Sequence, residues 1–139
     1  MKRLFLDANV LFTAAHNPSG KAALVIEQGA TGCWKVLTST YAVEEARRNI
    51  AVKFPQCLPS LGGLLKDISV LPSRASNSCL LALSEKDRVI FTSALHGKAT
   101  HLLTGDVKHF GAFMNNPALT SGITIQTVSE FLATILNHS

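Results

Sequence analysis

Short apolar runs alternate with longer segments of helical periodicity along the whole chain. The apolar runs predict five strands, at residues 3–6, 34–38, 68–72, 100–104 and 123–127. Apolar positions three or four residues apart predict helices at residues 8–16, 21–28, 41–54, 85–97 and 128–137, with a weaker helical patch at 58–67. This alternation is typical of a parallel sheet with right-handed crossovers. We therefore predict an α/β fold with a central parallel sheet of about five strands flanked by helices.

Capping and turn residues mark the ends of several elements. Ser39 or Thr40 can cap the helix after the second strand, and Gly97 ends the helix before the fourth. The polar stretch 73–78 predicts a loop that leads into a short helix at 79–83.

Length and composition indicate one folded domain. The chain has 139 residues, of which 47% are hydrophobic and 16% charged, which excludes a disordered chain and predicts a single domain at 1–139. The N-terminal apolar run loosely imitates a secretory signal, but Asp7 and Asn9 interrupt it. No stretch approaches transmembrane length.

The cysteines point to a reducing compartment. Cys33, Cys57 and Cys79 are odd in number, widely spaced, and without a CxxC pair or a Cys/His cluster. We therefore expect reduced, buried thiols in a cytoplasmic protein.

Two acids follow predicted strands. Asp7 follows the first strand and Asp106 follows the fourth. Functional crevices in parallel sheets lie beyond the carboxyl ends of the strands, although either acid could instead cap the helix that follows. Asn9 could hydrogen-bond the first carboxylate, and Thr104 offers a hydroxyl at the end of the fourth strand.

A third acid lies in line with an apolar helix stripe. Asp87 is followed at the third, fourth and seventh positions by Ile90, Phe91 and Ala94. An acid there is costly unless it is used. Alternatively, Ser84 and Asp87 have the form of a capping box.

The fourth acid is Glu44 or Glu45, and periodicity does not choose between them. Glu44 has Arg47 and Arg48 in reach for an exposed ion pair, whereas Glu45 has Asn49 one turn on. A solvated helix face is the more common fate of either residue.

The charge balance fits a polyanion that approaches a metal site. A cluster of carboxylates repels itself unless a cation lies among them, and Mg²⁺ or Mn²⁺ with oxygen ligands is the usual guest. The chain carries 13 Lys/Arg and 9 Asp/Glu, so setting four site acids aside leaves a distinctly basic remainder.

Four segments contain the candidate acids, in the order LDANVL, STYAVEEARRN, EKDRVIFTSAL and HLLTGDVKHFG. Together they resemble the PIN domain family of metal-dependent ribonucleases. The match covers nearly the whole chain, and TGD…HF after a strand is its most specific part. The family's four acids then fall on Asp7, Glu45, Asp87 and Asp106.

Two positions follow from the resemblance alone. The family's glutamate comes six residues after a strand-ending Ser or Thr, which favours Glu45 over Glu44 because Ser39 takes that place. Thr104 matches the small polar position near the last acid.

The resemblance implies a Rossmann-like parallel sheet with an acidic pocket holding one or two Mg²⁺ or Mn²⁺ ions. It implies an endoribonuclease that hydrolyses RNA, and specifically a VapC-like toxin inhibited by a small antitoxin. Members often form dimers, so a homodimer is also expected. Arg48, Lys86, Arg88 and Lys108 lie near the acids in sequence and are candidates for phosphate contacts.

Histidines could in principle bind a metal as well. His101 and His109 flank the TGD turn but lack partners at zinc-ligand spacing, which favours surface or supporting roles.

Three other interpretations compete with a metal-dependent ribonuclease. A haloacid-dehalogenase-like phosphatase needs a second Asp at the position of Asn9, and a response-regulator receiver needs an early acidic pair that is missing before Asp7. A PIN-like domain that binds RNA or a protein without cutting remains the alternative function.

Overall fold

One five-stranded sheet forms the centre of the protein. The computed structural model describes residues 1–74 and 81–137. The strands are β1 (Arg3–Leu6), β2 (Lys35–Ser39), β3 (Ser69–Leu71), β4 (His101–Leu103) and β5 (Thr124–Gln126). They lie in the order β3-β2-β1-β4-β5, and every neighbouring pair is parallel. The predicted α/β fold is therefore confirmed.

Helices connect the strands. They are α1 (Ala8–His16), α2 (Lys21–Ala30), α3 (Thr40–Lys53), α4 (Leu58–Leu65), α5 (Glu85–His96), α6 (Val107–Phe110) and α7 (Val128–Asn137), with short 3₁₀ turns at Pro55–Cys57 and Gly111–Phe113. The weak patch at 58–67 thus contains a full helix. Within the described ranges, no helix is both long enough and apolar enough to cross a membrane.

Capping residues set the starts of two of these helices. The Ser39 hydroxyl accepts the N–H of Ala42 and so caps α3, which settles the choice between Ser39 and Thr40. The short helix predicted at 79–83 is not found at Leu81–Leu83, because Ser84 has extended backbone as the cap of α5. Residues 79 and 80 lie outside the described part of the chain.

The strand order places a crevice beside β1. Leu4, Phe5 and Leu6 are fully buried, as expected for the central strand of a sheet covered on both faces. The chain adds β2 and β3 on one side of β1 and then crosses to add β4 and β5 on the other. The gap between the carboxyl ends of β1 and β4 is therefore the switch point at which α/β sheets bind ligands.

The cysteine prediction is partly wrong. Cys33 is exposed, since it follows Gly32 (φ +95°) in the turn between α2 and β2, and Cys57 is only partly buried. Both are free thiols. Cys79 lies outside the described residues.

Candidate metal centre

Asp7 lies at the switch point, directly after β1. Its Oδ1 accepts the N–H of Ala8 at 2.7 Å, so it caps α1, and its side chain is nonetheless buried. Its Oδ2 accepts the hydroxyl of Thr104 at 2.8 Å. Capping and burial in the crevice, which the sequence offered as alternatives, therefore occur together.

The environment of Asp7 disfavours its charge. Burial raises the pKa of Asp7 from 3.8 to about 6, against the hydrogen bonds from Thr104 and Ala8, which lower it. The negative charges of Glu45 and Asp87 raise it further. A nearby cation would therefore stabilise the ionised form of Asp7 and lower its pKa.

Thr104 and Asn9 connect the ends of β1 and β4. The Thr104 hydroxyl donates to Asp7 and accepts the N–H of Asp106 at 3.0 Å. The Asn9 amide lies 3.4 Å from both Asp7 Oδ2 and Thr104 Oγ1, and its carbonyl oxygen accepts the N–H of Gly105 at 2.7 Å. The two residues thus hold the first and last acids in one network.

Asp87 is buried on the first turn of α5. The Ser84 hydroxyl donates to Asp87 Oδ2 at 2.9 Å and accepts the Asp87 N–H at 3.3 Å. Ser84 therefore caps α5, but the Asp87 carboxylate accepts the Ser84 hydroxyl and not its backbone N–H, so only half of the predicted capping box forms. Because the cap satisfies only part of the carboxylate, Asp87 can also serve a site.

Asp106 and His109 lie together at α6. Asp106 Oδ1 accepts the His109 N–H at 3.3 Å, and His109 Nδ1 lies 2.7 and 2.8 Å from the two carboxylate oxygens. One potential ligand atom each from Asp87, Asp106 and His109 falls within 4.8 Å of the others. Sequence spacing pointed away from His109 as a ligand because Asp87, its partner in space, lies far away in the chain.

Glu45 and Glu44 point in different directions. Glu44 is exposed and forms an ion pair with Arg47 at 3.2 Å. Glu45 is largely buried and forms an ion pair with Lys86, on α5 beside Asp87. Burial lowers the pKa of Lys86, but the hydrogen bond and charge of Glu45, with the charges of Asp7 and Asp87, outweigh it and leave the pKa raised.

Asp87 joins the two halves of the acidic cluster. Its charge acts on Asp7, as does that of Glu45, and its carboxylate lies close to Asp106 and His109. The four sequence-predicted acids therefore converge at one edge of the sheet. The sequence indicated Ser84 as a helix cap and a surface or supporting role for His109, but it did not predict that His109 lies beside both Asp87 and Asp106. A signal for His109 was present, since it lies three residues after Asp106 on one short helix.

His101 lies elsewhere. It begins β4, at the opposite end of the strand from Thr104, where its ring packs edge-on against Phe131 with centroids 5.2 Å apart. Burial and the charge of Lys2 lower the pKa of His101. It does not belong to the acidic cluster.

Solved structures share this fold at low identity. A chain of VapBC2 from Rickettsia felis, solved bound to a DNA fragment from their promoter, aligns with a TM-score of 0.64 and 16% identity over 90% of this chain and 98% of that chain. A chain of DNA-bound VapBC from Salmonella typhimurium aligns with a TM-score of 0.65 and 13% identity over 92% and 99%. PAE2754 from Pyrobaculum aerophilum aligns with a TM-score of 0.64 and 18% identity over 98% and 90%.

These likenesses show the fold. No family model and no curated protein matches the sequence. The predicted resemblance to VapC-like PIN domains is confirmed in architecture.

Proposed function

We propose that this chain is a divalent-metal-dependent endoribonuclease that hydrolyses RNA phosphodiester bonds, with Asp7, Glu45, Asp87 and Asp106 as its site. One observation carries the proposal. Asp7 is a buried carboxyl group at the switch point of the sheet, and the charges of Glu45 and Asp87 act on it. A bound cation would offset the repulsion among these carboxylates, which explains why they lie together.

The donor set fits a hard divalent ion. Mg²⁺ and Mn²⁺ prefer carboxylate and water oxygens, and the cluster supplies the carboxylates of Asp87 and Asp106 within 4.8 Å of each other. The nearby imidazole of His109 is turned toward Asp106 through Nδ1. That contact matches the outer support that orients metal-binding carboxylates.

Each acid has a distinct environment and hence a distinct role. Asp87 and Asp106 would hold the metal, and Asp7 would add charge from a fixed position because Thr104 and the Ala8 N–H each bind one of its two oxygens. Glu45, which lies on α3 and pairs with Lys86, would orient the attacking water. When bound, the ion makes that water more acidic and offsets charge on the phosphate.

Lys86 is the cation that already lies among the acids. Its ammonium pairs with Glu45 and is half-exposed, so it can turn toward an incoming phosphate. The basic remainder of the chain, 13 Lys/Arg in all, favours RNA as the approaching polyanion.

The physiological setting belongs to the same proposal. The VapBC structures that share the fold support a toxin held by a small antitoxin. A cytoplasmic location and a homodimer, which the family resemblance implies, belong to the same proposal. Co-expression with the neighbouring open reading frame, followed by co-purification, tests the antitoxin, and light scattering tests the dimer.

Cleavage assays test the activity. The protein and its Asp7→Asn variant are incubated with single-stranded and structured RNA in Mg²⁺, in Mn²⁺ and in EDTA. We expect metal-dependent cleavage that EDTA and Asp7→Asn abolish, while Asp67→Asn, a change of an exposed acid, leaves it intact. Metal-loaded, folded protein that cuts none of these RNAs would contradict the proposal and favour a role in binding.

A further inference from the structure

A polar groove between α1 and α3 leads away from the acids. It is lined by Asn9 and Thr13 from α1 and by Glu45, Asn49 and Lys53 from α3. The three α3 residues are spaced four apart, so they form one stripe of about 12 Å along the helix. Glu45 therefore stands at the catalytic end of the groove and Lys53 at the distal end.

The distal end carries aromatic rings. The His16 ring stacks on Phe54 with centroids 3.9 Å apart, and the Phe12 ring lies 5.9 Å from Phe54. Lys53 Nζ lies 5.7 Å from the Phe12 centroid, and Phe12 itself lines the groove. His16 and Lys53 are exposed, and the two phenylalanines are partly buried.

Core packing explains only part of this arrangement. Phe12 packs against the core, as other partly buried apolar side chains do. Core packing does not explain why Lys53 lies over the Phe12 ring, or why amide and hydroxyl side chains line the groove. An apolar partner helix would require an apolar groove, whereas this groove is polar along its length and aromatic at its distal end.

Single-stranded nucleic acid matches that combination. Proteins bind it with cations that follow the backbone and with aromatic rings on which bases stack. A duplex hides its base faces, so rings of this kind discriminate in favour of unpaired strands.

We propose that this groove holds the single-stranded RNA segment next to the scissile phosphate, with a base stacked on the Phe12, His16 and Phe54 rings and a phosphate on Lys53. This inference rests on the proposed function, since it assigns the path of the substrate into the acidic site. It names the residues that would make the enzyme choose unpaired RNA.

Binding separates this inference from catalysis. In an Asp7→Asn background, fluorescence anisotropy with a labelled oligoadenylate measures affinity over a salt series. We expect Phe12→Leu, which keeps apolar volume but removes the ring, and His16→Ala each to weaken binding about 5- to 160-fold, the range for one stacked base. We expect Lys53→Gln to reduce the slope of log affinity against log salt by about 0.7, the value for one phosphate on a single strand.

Controls come from the same chain. Lys35→Gln removes an exposed lysine at the start of β2, at the opposite edge of the sheet, and should leave affinity and salt slope unchanged. A matched RNA duplex should bind the parent more weakly than the single strand and should not respond to Phe12→Leu. Thermal unfolding shows whether each variant is folded. If Phe12→Leu does not fold, the surface variants His16→Ala and Lys53→Gln still test the groove.

The outcomes distinguish the two proposals. Unchanged affinity in His16→Ala and Lys53→Gln, or a parent that does not bind the oligonucleotide, would overturn the groove assignment and leave the rings as a protein-docking surface. Binding that depends on these residues, in a wild-type protein that cuts nothing, would preserve the groove while removing the nuclease proposal.

Discussion

The Thr104 hydroxyl donates a 2.8 Å hydrogen bond to Asp7 Oδ2, from the end of β4 to the end of β1. Thr104 Oγ1 also accepts the N–H of Asp106, so the single buried side chain of Thr104 fixes the spacing of the first and last acids. Because it stabilises the ionised form of Asp7, it works against the burial that raises the pKa of that group.

Removing this hydroxyl should shift the acid side of the pH profile. Thr104→Val keeps the shape but loses a hydrogen bond to a charged group, worth about 1.5–3 kcal/mol, so the pKa of Asp7 should rise by roughly one to two units. Cleavage should then begin to fail at correspondingly higher pH. The measurement is the rate of RNA cleavage from pH 5 to 9.

Thr38→Val is the matched control for that change. Its hydroxyl is also buried at a strand end, but it donates to the Leu6 carbonyl and not to an acid. A pH profile that moves equally in both variants would show that the Thr104 effect is only structural.

The metal-free protein should gain stability from Asp7→Asn at neutral pH. The folded pKa of about 6 exceeds the unfolded 3.8, so the folded state holds the proton more tightly. The contribution of Asp7 to stability is therefore full below pH 4 and falls as pH rises through 6, by about 3 kcal/mol at most. We expect Asp7→Asn in EDTA to be about 1–3 kcal/mol more stable than wild type at pH 7.5, with the difference shrinking toward pH 4.

Urea unfolding in EDTA at several pH values measures this difference. Added Mg²⁺ should reverse the order at neutral pH, since it binds the folded wild type and much less the variant. An Asp7→Asn protein that is less stable than wild type at pH 7.5 in EDTA would show that the carboxylate is already compensated without a metal.

The adjacent glutamates form a matched pair. Glu45→Gln should reduce cleavage at least tenfold, because its side chain faces the acidic cluster, whereas Glu44→Gln should leave the rate unchanged because Glu44 faces solvent with Arg47. Rates at several Mg²⁺ concentrations show whether the loss lies in metal affinity or in the chemical step. Equal effects of the two substitutions would argue against the conclusion that Glu45 faces the acidic cluster while Glu44 faces solvent.

Lys86 should compete with the metal. Its ammonium occupies the neighbourhood of three carboxylates, so Lys86→Gln removes a charge that an incoming cation must displace. We expect calorimetry to show several-fold tighter Mn²⁺ binding in Lys86→Gln and no change in Lys66→Gln, which alters an exposed lysine after α4. Weaker Mn²⁺ binding in Lys86→Gln would instead show that the ion pair holds Glu45 in place for the metal.

The sequence could predict the sheet because alternating periodicities and capping residues are local signals. Ser39, Ser84 and Gly97 lie where propensity places them, at the ends of α3 and α5. Asp7 and Asp106 could likewise be assigned to one edge, since parallel strands bring their carboxyl ends together. Local information therefore located most of the candidate site.

Contacts between distant elements were beyond such reasoning. Periodicity treated Glu44 and Glu45 alike, and only the packing of α3 beside α5 turns Glu45 toward Lys86. The same holds for Asp87 and His109, which tertiary structure alone brings together. The local sequence pattern likewise did not predict that Cys33 is exposed. Its exposure follows from the path of the turn at Gly32, which places the Cys33 side chain in solvent.

His109 offers the most informative test of the cluster, since its imidazole contacts Asp106 and is also placed to share a metal ion with Asp87 and Asp106. If its imidazole orients Asp106 through Nδ1, His109→Ala should weaken Mn²⁺ binding about 10- to 100-fold, the usual cost of losing an outer partner of a ligand. His109→Asn, which can still donate to the carboxylate, should recover much of that loss. If the imidazole binds the metal itself, the amide should not rescue, and Co²⁺ spectra should change between the two variants. His96→Ala, an exposed histidine on the last turn of α5, should leave binding unchanged. Calorimetric titration of all three variants measures the affinities, and an unchanged affinity in His109→Ala would exclude both roles.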